Sequence, residues 1–158
     1  MYGLIFDVDG VIADTEPVNV AVTIRVFEDL FGVTGVKPED FAAGIGRGDE
    51  EYVRAGAGAN GLSLTDEQAK KATQLRETYF IEALNKEPLP VFPGVLRLIN
   101  MAIESGDFKV AIATSGSFEK SRVILKSARV PYEKLAHVSG NELHGSKTPI
   151  LLSLGQEQ

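Results

Sequence analysis

The chain has 158 residues, a formal net charge of −6, and no cysteine or tryptophan; 44% of it is hydrophobic and 24% charged. This balance fits a soluble globular protein and excludes a disordered chain, a disulfide framework, a thiolate nucleophile and a cysteine-based zinc site. The acid excess (22 Asp and Glu against 16 Lys and Arg) argues against nucleic acid or an anionic membrane as partner, and no apolar stretch approaches the roughly 18 residues a membrane span needs.

Strand-like sequence begins at Tyr2, which leaves no signal peptide ahead of it, so the expected location is cytoplasmic. The run Tyr2-Gly3-Leu4-Ile5-Phe6, followed by Asp7-Val8-Asp9-Gly10, reads as a buried strand of a parallel sheet ending in acids and a turn. From Glu16 to about Gly32 the pattern changes: Pro17 suits a first helical turn, and Val18, Val22, Val26, Phe27, Leu30 and Phe31 recur at three-to-four spacing. Residues 33–60 are rich in glycine and predict only short helices over 38–43 and 49–55. Thr65 with Gln68 forms a capping-box pattern for a helix running to Leu84, which Pro88-Leu89-Pro90 terminates.

A further helix opens at Pro93 and ends near Gly106. Phe108–Thr114 is the second buried strand, Ser115-Gly116-Ser117 a turn, 118–128 a helix, and 135–138 a short third strand. Strands alternating with helices imply a parallel sheet, and the helical block 16–88 is too long for one crossover. It reads as an inserted helical domain between core segments 1–15 and 89–158.

Ligands of open parallel sheets bind beyond the carboxyl ends of the strands, where Asp7 and Asp9 fall. Two close carboxylates repel, so a cation beside them is expected; two solvated acids capping the next segment is the alternative. Gly10 allows a sharp turn behind them. Thr114 and Ser115 end the second strand, where a small hydroxyl residue by itself usually serves a turn or a helix cap, an anion contact being the alternative. His137 and His144 have no neighbours that point to a triad and read as structural or surface residues.

The string Phe6-Asp7-Val8-Asp9-Gly10-Val11-Ile12-Ala13-Asp14-Thr15-Glu16-Pro17 resembles the first signature of the haloacid dehalogenase (HAD) superfamily, in its helical-cap branch. Val110–Ser115 resembles the second signature, Lys147 before Pro149 the third, and Phe92-Pro93-Gly94-Val95 the return from cap to core. The resemblance implies an α/β fold: a HAD-like Rossmannoid parallel sheet, incomplete here, with an inserted α-helical cap. It implies a phosphatase-type hydrolase acting on a small phosphorylated metabolite. Asp7 would be the nucleophile, giving an aspartyl-phosphate. Asp9 would be general acid and then base, and Mg²⁺ would be held by the Asp7 side chain and the Asp9 carbonyl. Thr114 and Lys147 would complete the catalytic set, and Gly10, Ser115 and Gly116 would line the substrate. In the cap, Arg47 of Gly44-Ile45-Gly46-Arg47-Gly48 would reach a second anionic group, against the alternative of an exposed arginine on a mobile loop.

The sequence departs from the family pattern after Lys147. The chain stops at Gln158 with no acid pair of the fourth signature, and Pro149-Ile150-Leu151-Leu152 replaces the usual Pro-x-Pro-Asp. A truncated chain, a natively short one and a shifted reading frame all fit. Loss of an acid should weaken metal binding, so weak or absent phosphatase activity is expected. The alternatives are a sugar-phosphate mutase, against which Asn19 stands where the mutases, and many of the phosphatases, carry His, and a non-catalytic binding domain. A dehalogenase is disfavoured by Asp9, and nothing supports a phosphonate hydrolase. The incomplete sheet leaves an edge through which the chain would self-associate.

Overall fold

The computed structural model describes residues 2–135 and the backbone of 137–139. The elements run β1 (Tyr2–Phe6), α1 (Glu16–Phe31), a 3₁₀ turn (Pro38–Gly44), α2 (Asp49–Ala59), α3 (Asp66–Lys86), α4 (Pro93–Ser105), β2 (Phe108–Ala113), α5 (Phe118–Ser127), a 3₁₀ turn (Tyr132–Lys134) and β3 (His137–Ser139). The chain divides into two compact units, Met1–Thr15 with Leu84–Gln158, and Glu16–Ala83. No described helix is long and apolar enough to cross a membrane.

In the first unit the three described strands form a parallel sheet in the order β1-β2-β3. Val110, Ala111, Ile112 and Ala113 of β2 are buried because strands flank β2 on both sides and α4 packs against it. β1 departs from the buried strand expected of its apolar sequence: Tyr2 is 71% and Ile5 44% exposed. Among the described strands β1 pairs only with β2, so it is an edge of the described sheet. Behind β1 the apolar residues Val8, Ile12 and Ala13 are the buried ones. The segment leaving β1 and the segment returning from α3 run side by side. Asp14 N–H donates to Pro90 O at 3.1 Å, Phe92 N–H donates to Ile12 O at 3.0 Å, and Ala13 bridges Val91 in antiparallel fashion.

The second unit is helical. Asn19, Val22, Thr23, Val26 and Phe27 form the buried stripe of α1 at helical spacing. Val26 and Phe27 join Val36, Phe41, Tyr52, Val53, Ala57 and Ala72 in one apolar cluster, with Phe41 stacked on Tyr52 at 4.9 Å. The capping box at the start of α3 is present in both directions: Thr65 N–H donates to Gln68 Oε1 at 2.9 Å and Gln68 N–H to Thr65 Oγ1 at 3.2 Å. α2 is longer than its glycine content predicts, reaching Ala59. The reason is close packing: a β-carbon on Gly56 would lie 2.3 Å from Phe41 Cε1 and 2.9 Å from Phe27 Cε2. The glycine lets the helix approach the two rings instead of ending it.

Candidate active site at the ends of the first two strands

β1 and β2 are parallel and in register from Tyr2 opposite Phe108 to Phe6 opposite Ile112, so their carboxyl ends lie side by side. The residues that follow, Asp7 onward and Thr114 onward, therefore emerge at the same edge of the sheet. The strand does not persist through Asp9, as same-face placement of the two acids would require; β1 ends at Phe6. A turn takes over in which Val8 O accepts the N–H groups of Val11 at 3.3 Å and Ile12 at 3.0 Å. Gly10 closes it at φ 72°, a backbone conformation costly for other residues, and its N–H donates to Ala13 O at 3.0 Å.

This turn fixes Asp9. Its Oδ1 accepts the hydroxyl of Thr15 at 2.6 Å, and Thr15 is 1% exposed. Its Oδ2 faces Gly116: a β-carbon there would lie 3.6 Å from Asp9 Oδ2, 3.5 Å from Thr114 Oγ1 and 3.8 Å from Lys120 Cδ. Asp9, Thr114 and Gly116, expected to act together, do converge. Thr114 is fully buried and its Oγ1 accepts the Gly116 N–H at 3.1 Å. Ser115 stands half-buried between them. Asp7, also partly buried, follows directly on β1, and its Oδ1 accepts the Val8 N–H at 2.8 Å.

Lys120 is the residue that sequence reasoning missed. It occupies the third position of α5, where Ser117 caps the helix by accepting the Lys120 N–H at 3.1 Å. Its ammonium lies 3.6 Å from Asp9 Oδ1. The available signal was its place in the first turn of the helix that leaves the second strand, but a lysine in a helical segment ordinarily reads as solvated surface.

Lys147 lies outside the described residues. Arg47 belongs to the helical unit, where it is exposed on the glycine loop between the 3₁₀ turn and α2, with its N–H donated to Gly44 O at 3.1 Å. Among the described residues no group of three or more His, Asp or Glu is gathered that would hold a metal. The strand-end acids Asp7 and Asp9 nonetheless offer oxygen donors alone, which suits a hard cation such as Mg²⁺, bound by one or two carboxylates and otherwise by water and substrate.

The helical unit holds a second polar cluster. Arg76, 2% exposed, donates from Nε to Thr23 Oγ1 and from Nη2 to Asn19 Oδ1, each at 2.8 Å, and from Nη1 to Asp49 Oδ1. Its guanidinium carbon stands 4.7 Å from the centre of the Tyr52 ring. The Tyr52 hydroxyl donates to Glu16 Oε1 at 2.7 Å, and burial, followed by that hydrogen bond, pushes its ionisation far above the ordinary tyrosine range.

Comparison with known proteins matches this picture. Residues 4–155 fit the sequence profile of a family described as haloacid dehalogenase-like hydrolase. A curated relative, Protein SUPPRESSOR OF QUENCHING 1, chloroplastic, of Arabidopsis thaliana, is 30% identical over 129 residues, covering 79% of this chain and 12% of that much longer protein. Three solved structures are similar to 99% of this chain. A hydrolase from Pseudomonas syringae has a TM-score of 0.79 and 22% identity, with 70% of its own chain covered. CbbY from Rhodobacter sphaeroides in complex with xylulose-1,5-bisphosphate has a TM-score of 0.81 and 18% identity, with 72% covered. A predicted phosphoglycolate phosphatase from Haemophilus somnus has a TM-score of 0.78 and 16% identity, with 72% covered. With a parallel sheet, a helical insert after its first strand and a profile match over nearly its whole length, the chain belongs to the haloacid dehalogenase-like hydrolase family.

Proposed function

We propose that this chain is a phosphatase-type hydrolase of small phosphorylated metabolites, working through an aspartyl-phosphate on Asp7. The observation that carries the reading is the convergence of Asp9, Thr114 and Gly116 at the strand ends beside Asp7. Phosphatase and phosphate-binding relatives support the substrate class: among them are the CbbY complexes with xylulose-1,5-bisphosphate and with phosphate. We take the helical block 16–88 as the cap, with the core formed by 1–15 and 89–158.

The proposed reaction proceeds in two displacements. A carboxylate nucleophile needs no activating base: Asp7 attacks phosphorus while the bond to the leaving oxygen breaks. Asp9 gives its proton to that oxygen, releasing an alcohol. It then takes a proton from water, which attacks phosphorus and returns Asp7 as a carboxylate with inorganic phosphate as product. Thr15 holds Asp9 by its hydrogen bond, so the carboxyl does not swing between the two steps. The Thr114 hydroxyl and the Ser115 N–H would bind phosphoryl oxygens, with Gly10 and Gly116 keeping the backbone close to them. Lys147 would offset the negative charge, and Arg47 would bind a second anionic group of the substrate. Mg²⁺, held by Asp7 and the Asp9 carbonyl with water completing the shell, would neutralise charge between nucleophile and phosphoryl group.

With one carboxylate, that of Asp7, and the Asp9 carbonyl from the described residues, we propose a weak Mg²⁺ site and slow turnover in this chain. The cytoplasmic location is part of the same proposal. Asn19, engaged by Arg76, stands against the mutase alternative. The test is phosphate release from a panel of sugar phosphates and phosphoglycolate, with and without Mg²⁺. Slow, Mg²⁺-dependent release lost in Asp7→Asn supports the reading. Release unchanged in Asp7→Asn overturns it, and a chain that binds phosphate without ever turning over would be the binding module.

A further inference from the structure

Two structural demands meet in the helical unit at Asn60 and Gly61. The chain leaves α2 through Gly61 at φ 71°, a left-handed conformation that favours glycine. Leu62 N–H donates to Ala57 O at 2.8 Å and Gly61 N–H to Gly58 O at 3.1 Å, which satisfies carbonyls of the last helical turn. Asn60 ties that end to the 3₁₀ turn Pro38–Gly44: its Nδ2 donates to Asp40 Oδ2 at 3.0 Å and to Gly56 O at 2.9 Å. Asp40 Oδ2 also accepts the Lys37 N–H at 2.9 Å, and that hydrogen bond, followed by the one from Asn60, holds the carboxyl below the ordinary aspartate range. Asn60 is the only asparagine of the sequence that precedes a glycine.

That dipeptide is chemically labile when its backbone is free, because glycine has no side chain to keep its nitrogen from the preceding side-chain carbonyl. The Gly61 nitrogen bonds to Asn60 Cγ, the Cγ–Nδ2 bond breaks, and the proton given up by Gly61 leaves with Nδ2 as ammonia. Water then opens the five-membered imide at either carbonyl, giving aspartate or, with the main chain routed through Cγ, isoaspartate. Water is the one co-reactant, and Gly61 is exposed to it. In the folded unit both reacting groups are engaged. The N–H of the nucleophile is donated to Gly58 O, and the leaving amide is held by Asp40 and Gly56. Attack therefore requires the C-terminal turn of α2 to open.

We propose that Asn60–Gly61 is a deamidation site gated by the fold, silent while α2 is closed and committed once its end opens. The product does not restore the closed form. Aspartate at position 60 loses both donated hydrogen bonds and brings a second carboxylate to where Nδ2 stood 3.0 Å from Asp40 Oδ2. It also adds negative charge at a helix C-terminus, where the dipole opposes it. Isoaspartate further lengthens the main chain within that turn. The proposal is independent of the phosphatase reading.

The test is peptide mapping by mass spectrometry of the whole chain held at mildly alkaline pH, following deamidation and isoaspartate on the peptide that contains Asn60. The native chain should deamidate at least about tenfold more slowly than the chain in urea, because the turn opens only in a minor population. Asp40→Ala removes one acceptor of the leaving amide and should raise the native rate by about three- to tenfold. Equal rates in the native chain and in urea overturn the proposal, as does a native rate unchanged in Asp40→Ala. Should Asp40→Ala fail to fold, the wild type carries the test: its rate should climb with urea across the unfolding transition, and a rate that does not follow unfolding overturns the gating. Asn60→Asp carries the charge of the product and should unfold at lower urea than the wild type, with part of the shift recovered on adding Asp40→Asn. An equal midpoint in Asn60→Asp overturns the claim that the closed form is lost.

Discussion

Arg76→Met is the sharpest perturbation of the helical unit. The guanidinium joins α3 to two residues of α1 and to the first residue of α2, through Thr23, Asn19 and Asp49. Methionine keeps much of the stem's volume but removes every donor. The Asp49 carboxylate, 15% exposed, is then left without its buried cation. Removing one partner of a buried pair costs about 3–5 kcal/mol. Asp49 opens α2 and keeps the favourable field of that helix N-terminus, which places the expected loss near the lower end, about 3 kcal/mol. If the helical unit melts as one body, that loss lowers its midpoint by roughly 12–24 °C, at about 4–8 °C per kcal/mol for a unit of this size. Urea unfolding of the whole chain, followed by circular dichroism, measures it. Adding Asp49→Asn to Arg76→Met removes the carboxylate charge that Arg76 balanced and should recover at least half of the loss. A single variant within about 1 kcal/mol of wild type would refute the reasoning.

Gly56→Ala should destabilise the helical unit by about 1–3 kcal/mol, since its methyl group would overlap Phe41 and Phe27, although alanine is the better helix former; a more stable variant in the same urea assay would contradict the packing account. Tyr52 keeps its proton in the folded chain well above the pH at which an unfolded tyrosine ionises. The stability it contributes is therefore fully present below pH about 10 and falls as pH rises above that value. Stability curves should show this alkaline loss flattened in Tyr52→Phe, and parallel curves would count against it. If the exposed edge of β1 mediates self-association, sedimentation of the wild type should show dimers that Ile5→Lys removes, because a charge on an edge strand opposes pairing; a monomeric wild type would exclude that partner.

The local signals in the sequence were strong where the physics is local. Thr65 and Gln68 announced the start of α3 because a capping box needs only residues three apart. The strand over 108–113 was legible because its last four residues, Val110 to Ala113, form a continuous buried apolar run. β1 looked the same in sequence and is an edge among the described strands, with Tyr2 and Ile5 exposed, since exposure depends on which strands sit beside it. The glycines of α2 suggested a break, and only the rings of Phe27 and Phe41 explain why the helix continues through them. Arg76 and Lys120 were invisible for a related reason. Each is a single cation in an ordinary helical pattern, and what singles it out is burial against an acid distant in sequence. Asp7, Asp9 and Thr114 were legible as strand-end residues, whereas their relation to Gly116 and Thr15 required coordinates.

The central claim is that Asp7 carries the phosphoryl group. It is tested most directly by quenching the chain with a phosphorylated substrate and Mg²⁺ and mapping phosphorylated peptides by mass spectrometry. The account predicts a hydroxylamine-labile phosphoryl adduct on the peptide containing Asp7, absent in Asp7→Asn and longer-lived in Asp9→Asn, which lacks the base for the second displacement. An adduct on another residue, or phosphate release that persists in Asp7→Asn, would contradict it.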